Sequence, residues 1–410
     1  MKIAIVGAGI GGLTAAALLA RQGHAVHVLE QAPALGEVGA GVQMSANAVK
    51  VLFELGLRPR LEAVAVQPHG FEFRRHDSGE LLHRIPLGAA HQQQHGAPYY
   101  QIHRGDLHAM LVDALTAVAP EAITLNARAT HLSESAESAV VHIAGREAVH
   151  ADLVVGADGI RSTVRQFVVG PDQPSFTGQV AWRCTVPIER VAPALRTDLV
   201  STIWCGPHNH AVMYYLRGAT LLNFVGCVAR PQEDESWNTR RPWAELDSDY
   251  QGWHPMVRAV VDAVDKDQCF RWALNNRPPV ERWSTERVTM LGDAVHATLP
   301  YMAQGAAMAI EDAAVLARVV GSASQSLAQG LRIYEQHRGP RTARVVHEST
   351  EMGQLYQITD AAAMRQAFAD RNIARSRNEW LYPYDPLTVP LTVPLTVPLT
   401  VPLTAPLIAA

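Results

Sequence analysis

Cysteine is scarce in this chain: Cys184, Cys205, Cys227 and Cys269 are the only four in 410 residues. No two form a C-x-x-C, which excludes a zinc knuckle and a thioredoxin-type pair. So sparse a set reads as reduced, buried thiols of a cytoplasmic protein, and no metal centre is expected. No run of 18 apolar residues occurs, so no transmembrane helix and no membrane partner are expected. An excess of positive charge is missing too. The 35 Lys+Arg face 39 Asp+Glu, and a net charge of −4 gives no general attraction to nucleic acid or acidic lipid. The hydrolase signatures G-x-S-x-G and H-E-x-x-H are absent. Lys2 precedes an apolar stretch, as in a signal peptide. That stretch holds Gly7, Gly9, Gly11 and Gly12, however, and runs on into a second strand-like segment without a processing break.

What is present is globular. A hydrophobic fraction of 48% is too high for a disordered chain, and the length suggests two to three domains. Lys2–Val6 is an apolar run suited to a buried parallel strand, Leu13–Arg21 has helical density of Ala and Leu, and Ala25–Leu29 is the next strand. Helices are expected over Ser45–Leu55 and His108–Val118, and a buried strand over Leu153–Val155. From about 176 to 275 the texture is β-rich, with strands near Val180–Val186, Leu199–Trp204, Ala211–Leu216 and Thr220–Val228. Val288–Leu291 returns to an apolar strand, and helices follow over Ala306–Val320, 327–358 and 360–376. Pro386–Leu403 repeats P-L-T-V. Proline at every fourth position forbids a helix and argues against a central strand, so this is read as an extended low-complexity tail, or else as a docking peptide carried by its Leu and Val.

Gly7, Gly9 and Gly12 form G-x-G-x-x-G between a strand and a helix. The first glycine permits the tight turn, the second lets backbone approach a pyrophosphate, and the third lets helix and strand pack closely. The helix N-terminus offers unpaired N–H groups and partial positive charge to phosphate. Glu30, 18 residues after Gly12, ends the second strand where a carboxylate accepts from a ribose 2′-hydroxyl. An acid there repels a 2′-phosphate, so FAD or NAD is expected rather than NADP. The bland alternative is a structural glycine turn with a surface Glu.

Two further motifs choose between these nucleotides. Asp152–Arg165 reads D-L-V-V-G-A-D-G-I-R-S-T-V-R, and Val288–Ala313 reads V-T-M-L-G-D-A-V-H-A-T-L-P-Y-M-A-Q-G-A-A-M-A-I-E-D-A. With the first turn, and with Glu37–Gly41 and His103–Leu107, the chain resembles the single-component FAD-dependent aromatic hydroxylases over nearly all of residues 1–384. Salicylate hydroxylases, 3-hydroxybenzoate 6-hydroxylases and 6-hydroxynicotinate 3-monooxygenases are among the members it resembles. The resemblance implies an α/β fold: a Rossmann-like FAD-binding domain (1–175 and 276–345), an inserted mainly β substrate domain (176–275), C-terminal helices (346–384), and the repeat tail (385–410). It implies non-covalent FAD, with NADH as a transient co-substrate, NADPH less suited, and O2.

Asp293 follows a strand, where ligands of open α/β sheets bind; the resemblance assigns it to the ribityl chain. Pro300 ends the following loop. The N–H groups of Gly305, Ala306 and Ala307, at a helix start, suit the flavin N1–C2=O edge, which is negative when reduced. A buried Ala-rich helix with a packing glycine is the alternative. The resemblance gives Asp158 and Gly159 a role near FAD and the pyridine nucleotide, and makes Arg104 a flavin contact. Arg161 and Arg165 are either phosphate contacts or surface arginines.

In the β-rich region, His208–Gly218 resembles the family strand carrying an active-site His and an aromatic residue four positions on, which gives His210 and Tyr214 catalytic roles. On a strand, 210, 212 and 214 share a face. A His near neutral pH is suited to removing a phenolic proton and so activating the ring; a core or surface His210 is the alternative. Gln43 and Tyr301 are expected to touch substrate, with Trp182 and Arg183 placed only loosely and the carboxylate-binding arginine undecided between Arg183 and Arg217. Pro300 before Tyr301 departs from the Gln-Tyr typical of 3-hydroxybenzoate 6-hydroxylases, which puts salicylate hydroxylation to catechol first. The remaining readings are 3-hydroxybenzoate to gentisate, 6-hydroxynicotinate 3-hydroxylation, and, from other classes, a flavin oxidase or a redox sensor. The partner is a small aromatic acid, and the enzyme a monomer or homodimer.

Overall fold

The computed structural model describes residues 1–36, 40–231, 239–322, 326–371, 373 and 377–391. Glu37–Gly39 of the second glycine motif, and the repeat beyond Leu391, lie outside the described residues.

The first apolar run forms β1 (Lys2–Val6), the glycine-rich segment opens α1 (Ile10–Arg21), and β2 is Ala25–Leu29. These lie in a five-stranded parallel sheet of order Val288–Met290, Leu153–Gly156, β1, β2, Ile123–Thr124. Helix Gly305–Val320 packs against α1, and both are buried along most of their length, as a sheet covered on its faces requires. Helix α1 starts at Ile10, three residues earlier than its Ala/Leu density suggests, so Gly11 and Gly12 lie within its first turn.

The second sheet has eight strands and draws on more of the chain than residues 176–275. Its order is Thr239–Arg240, Phe270–Asn276, Ser175–Pro187, Leu221–Ala229, Asn209–Leu216, Ser201–Gly206, Gly70–Arg75 and Leu81–Pro86. The last two come from the part of the chain assigned on sequence to the first domain; they join because Gly70–Arg75 pairs in parallel with Ser201–Gly206. One face packs on helices Trp243–Asp249 and Pro255–Ala263 through Trp182, Trp204, Met213 and Tyr215. The other face turns toward the first sheet.

Helix Leu327–Tyr356 matches its expected span and passes through Pro340. The next helix is shorter than expected, Ala361–Asp370, because Arg371 is extended (φ −90°, ψ 114°). Pro386–Leu391 departs from a detached tail. Asp385 accepts at its carbonyl from Val389 N–H (2.9 Å), closing a turn, and the Arg318 guanidinium donates to the carbonyls of Pro386 and Val389, both at 2.8 Å. Leu387 and Leu391 rest on the main core.

Candidate active site

The glycine turn shows why each glycine is needed. Gly7 is left-handed (φ +106°), and a side chain there would meet the Ala157 carbonyl. A Cβ on Gly12 would lie 2.1 Å from the Gly7 carbonyl oxygen. A Cβ on Gly9 would meet no protein atom within 4 Å. Gly7 and Gly12 are therefore demanded by the fold, whereas Gly9 faces open space. Glu30 braces the turn: its carboxylate accepts from Ala8 N–H and Ala32 N–H, both at 2.8 Å. Two acceptors engaged on a carboxylate leave capacity for a ribose hydroxyl.

Gly9 and Gly12 open onto a cavity of about 310 Å³ that runs between the two sheets. Its walls bring together Gln43, Arg104, Gly159, His210, Tyr214, Asp293, Pro300, Tyr301, Gly305 and Ala306. Gly7, Glu30 and Asp158 stand behind the wall. Asp158 caps helix Thr163–Val168, accepting from Ser162 Oγ (2.5 Å) and Thr163 N–H (2.7 Å), and burial raises its pKa against those hydrogen bonds. These bonds fix the loop that presents Gly159. Arg165 is no phosphate ligand: it is fully buried on Asp172 (2.8 Å) and on the carbonyls of Ala294 and Val295.

The residues present fit FAD. Two helix starts face the cavity, at Ile10–Gly12 and Gly305–Ala306, and the first N–H groups of a helix have no partner within it. A Cβ on Gly305 would find only Thr298, at 3.6 Å. Asp293 follows the strand Val288–Met290 and is exposed to the cavity, positioned by Gly292 at φ +61°. A buried ionic network holds both flavin-side turns. Arg338 reaches Glu311 (2.6 Å) and Asp312 (2.7 Å), and Arg341 reaches Glu311 (2.7 Å). Asp312 accepts from Gly292 N–H (3.0 Å) and pairs with His296 (2.5 Å), while Asn47 joins Glu311 to Gln304 before the helix.

On the substrate side the strand alternation holds. His210, Val212 and Tyr214 line the cavity, while Ala211, Met213 and Tyr215 face the helices. His210 is 1% exposed, edge-on to Tyr301 (5.0 Å between ring centroids) and Tyr356 (5.2 Å), and burial lowers its pKa to about 3. Its Nδ1 is 3.5 Å from the Gln357 amide, which pairs with Gln179. Burial also pushes the Tyr214 phenol upward; its ring lies against Gly41, where no side chain would fit. Gln43 accepts from Tyr99 O–H at 3.0 Å. Trp182 is not in the site. It points to the helix face and donates to Asp249 (2.8 Å), whereas its neighbour Arg183 lines the cavity, stacked 4.2 Å over Trp272. Arg217 is also outside, in a surface ion pair with Asp106 (2.7 Å). Sequence reasoning missed Phe71, Tyr356, Gln357 and Arg377, which come from distant segments with no local motif.

The chain carrying this arrangement, a nucleotide turn facing a buried imidazole across one cavity, is similar to known proteins. The FAD binding domain family model matches residues 1–349, and the chain belongs to that family. The chain is 35% identical over 393 residues to 3-amino-4-hydroxybenzoate 2-monooxygenase PtmB3 of Streptomyces platensis, covering 95% of this chain and 97% of that one. It is 36% identical to 3-hydroxybenzoate 6-hydroxylase of Polaromonas naphthalenivorans, covering 94% and 96%. Among solved structures, Klebsiella pneumoniae HpxO complexed with FAD and uric acid superposes with a TM-score of 0.82 at 26% identity, over 92% of this chain and 95% of that one. The chain is thus an enzyme of the FAD-dependent monooxygenase class.

Proposed function

We propose that this enzyme uses NADH and O2 to hydroxylate a six-membered aromatic ring bearing a hydroxyl and a carboxylate. Salicylate to catechol with release of CO2 is the first reaction to assay; 3-hydroxybenzoate to gentisate and 6-hydroxynicotinate 3-hydroxylation are the alternatives. The observation that carries the class is the single cavity joining the Gly9 turn and the Gly305 helix start to the buried His210. Both relatives named above act, by their names, on rings with a hydroxyl and a carboxylate. Salicylate rests on the Pro300-Tyr301 pair, and the relatives' names favour the alternatives.

Bound FAD supplies hydride acceptance from NADH and activation of O2. The chain supplies the rest. The N–H groups at the start of helix Gly305–Val320 stabilise negative charge beside them. Tyr301 and Tyr356 keep water from the ring. His210 is neutral and takes the phenolic proton. Its low pKa belongs to the free enzyme, because burial penalises the imidazolium; a phenolate formed alongside offsets that penalty.

A panel of hydroxybenzoates and hydroxypyridine acids, with NADH oxidation and products followed, tests the reading. Label from 18O2 must enter an aromatic product, which separates hydroxylation from oxidase chemistry, and substrate-stimulated NADH turnover separates it from a sensor. Carboxyl-labelled salicylate should release labelled CO2 in step with NADH oxidation. If salicylate yields only peroxide while 3-hydroxybenzoate is converted to gentisate, the class stands and the ranking falls.

A further inference from the structure

Five arginines are buried among the described residues: Arg165, Arg271, Arg277, Arg338 and Arg377. Four are neutralised by carboxylates. Arg165 and Arg277 share Asp172, Arg271 has Glu245, and Arg338 has Glu311 and Asp312. Arg377, 3% exposed, forms no ion pair with a carboxylate among the described residues. Its polar surroundings are the phenols of Tyr382, Tyr356 and Tyr99, its guanidinium lies 5.3 Å from the Phe71 ring centroid, and its Nε has no hydrogen-bond partner. It lines the same cavity as His210. Tyr356 neighbours both, edge-on to His210 at 5.2 Å and with its phenol within electrostatic reach of the Arg377 guanidinium. A buried cation without an anion is costly, and a planar guanidinium matches a carboxylate with two parallel bonds.

We propose that Arg377 is the anchor for the substrate's carboxylate, one aromatic ring away from the His210 that meets the hydroxyl. This deepens the proposed function and rests on its reading of the cavity as the substrate site. Of the other two arginines lining the cavity, Arg104 is the one the family resemblance gives to the flavin, and Arg183 is half-buried and already stacked on Trp272, which makes both weaker claimants. The anchor defines the substrate class by charge: a free acid is bound more tightly than its amide or the parent phenol.

Calorimetric titration of the FAD-loaded enzyme with benzoate, benzamide and phenol tests this without requiring turnover. Wild type should prefer benzoate over benzamide. Arg377→Met should weaken benzoate on the order of 10²–10³-fold, the usual consequence of truncating one partner of a buried charge pair, while phenol binding stays within a few-fold. Arg377→Lys should recover part of the benzoate affinity, and serves as the test variant if the Met variant does not fold. Wild type that binds benzoate no better than benzamide, or not at all, overturns the anchor. So does an Arg377→Met variant with unchanged preference, an equal loss for phenol, or loss of the preference in Arg183→Gln instead. If benzoate binds through Arg377 but no hydroxylated acid is turned over, the anchor stands and the proposed reaction fails.

Discussion

Replacing Arg338 by Met tests the ionic network that holds the flavin-side turns. The guanidinium is fully buried and contacts Glu311 at 2.6 Å and Asp312 at 2.7 Å. Removing one member of a buried pair costs about 3–5 kcal/mol, because the other charge is left uncompensated. Here Arg341 still covers Glu311, and His296 with Gly292 N–H still covers Asp312, so the lower end applies, about 3 kcal/mol. With an unfolding entropy of about 2.1 cal/mol/K per residue, that lowers Tm by roughly 3–4 °C if the chain melts as one unit. The loss should depend on pH. Burial alone would raise the Asp312 pKa, but His296 and Arg338 outweigh it and hold it to about 2, below its ordinary 3.8. A depressed folded pKa contributes stability that is complete above the unfolded value and disappears as pH falls through the folded one. The gap between wild type and variant should therefore be full at pH 7 and narrow as pH falls from about 4 toward 2. Thermal melts read by tryptophan and flavin fluorescence check both points. A variant melting within 1 °C of wild type with FAD retained, or a gap that widens in acid, would refute the reasoning.

Four further outcomes are expected. Gly9→Val should fold and lose FAD, since its side chain meets only open cavity, whereas Gly12→Ala should disturb the fold itself because its Cβ falls on the Gly7 carbonyl; far-UV dichroism and FAD stoichiometry separate the two. His210→Ala should keep FAD and lose hydroxylation by roughly 10²–10⁴-fold, with peroxide release rising; unchanged coupled hydroxylation rejects the role. The wild-type kcat/KM profile should show no His210 titration between pH 5 and 8, because its free-enzyme pKa is about 3. Arg318→Ala should destabilise by about 1–3 kcal/mol through the two carbonyls it releases at Pro386 and Val389, measured by urea unfolding.

The nucleotide half was legible because backbone demands leave a mark in composition. Gly7 and Gly12 are fixed by close approach of main chain, and no other residue type satisfies that geometry. The face shared by 210, 212 and 214 was legible because strand alternation is local. The same rule separates Trp182 from Arg183, but which of two neighbours faces a ligand depends on what covers each side of the sheet, and sequence does not show that. Arg377 carries no local signal. It opens the short π-helix Arg377–Leu381 after the last α-helix, and its proposed role rests on its having no carboxylate partner among the described residues. The docking of Pro386–Leu391 was hidden for a related reason: proline spacing excludes helix but says nothing about a turn gripped by a side chain 68 residues upstream.

The eight-stranded sheet is interleaved in sequence. Its strand Ser201–Gly206 depends on Gly70–Arg75 for one of its two neighbours, so the segment 175–276 is not a cassette. Grafted alone between relatives, it would carry His210 and Tyr214 but leave behind Phe71, and the transplanted strand would gain an unpaired edge. Exchange of substrate preference by recombination therefore calls for crossovers that carry 70–86 along with the later strands, and a chimera library for this scaffold is better cut by sheet neighbourhood than by chain order.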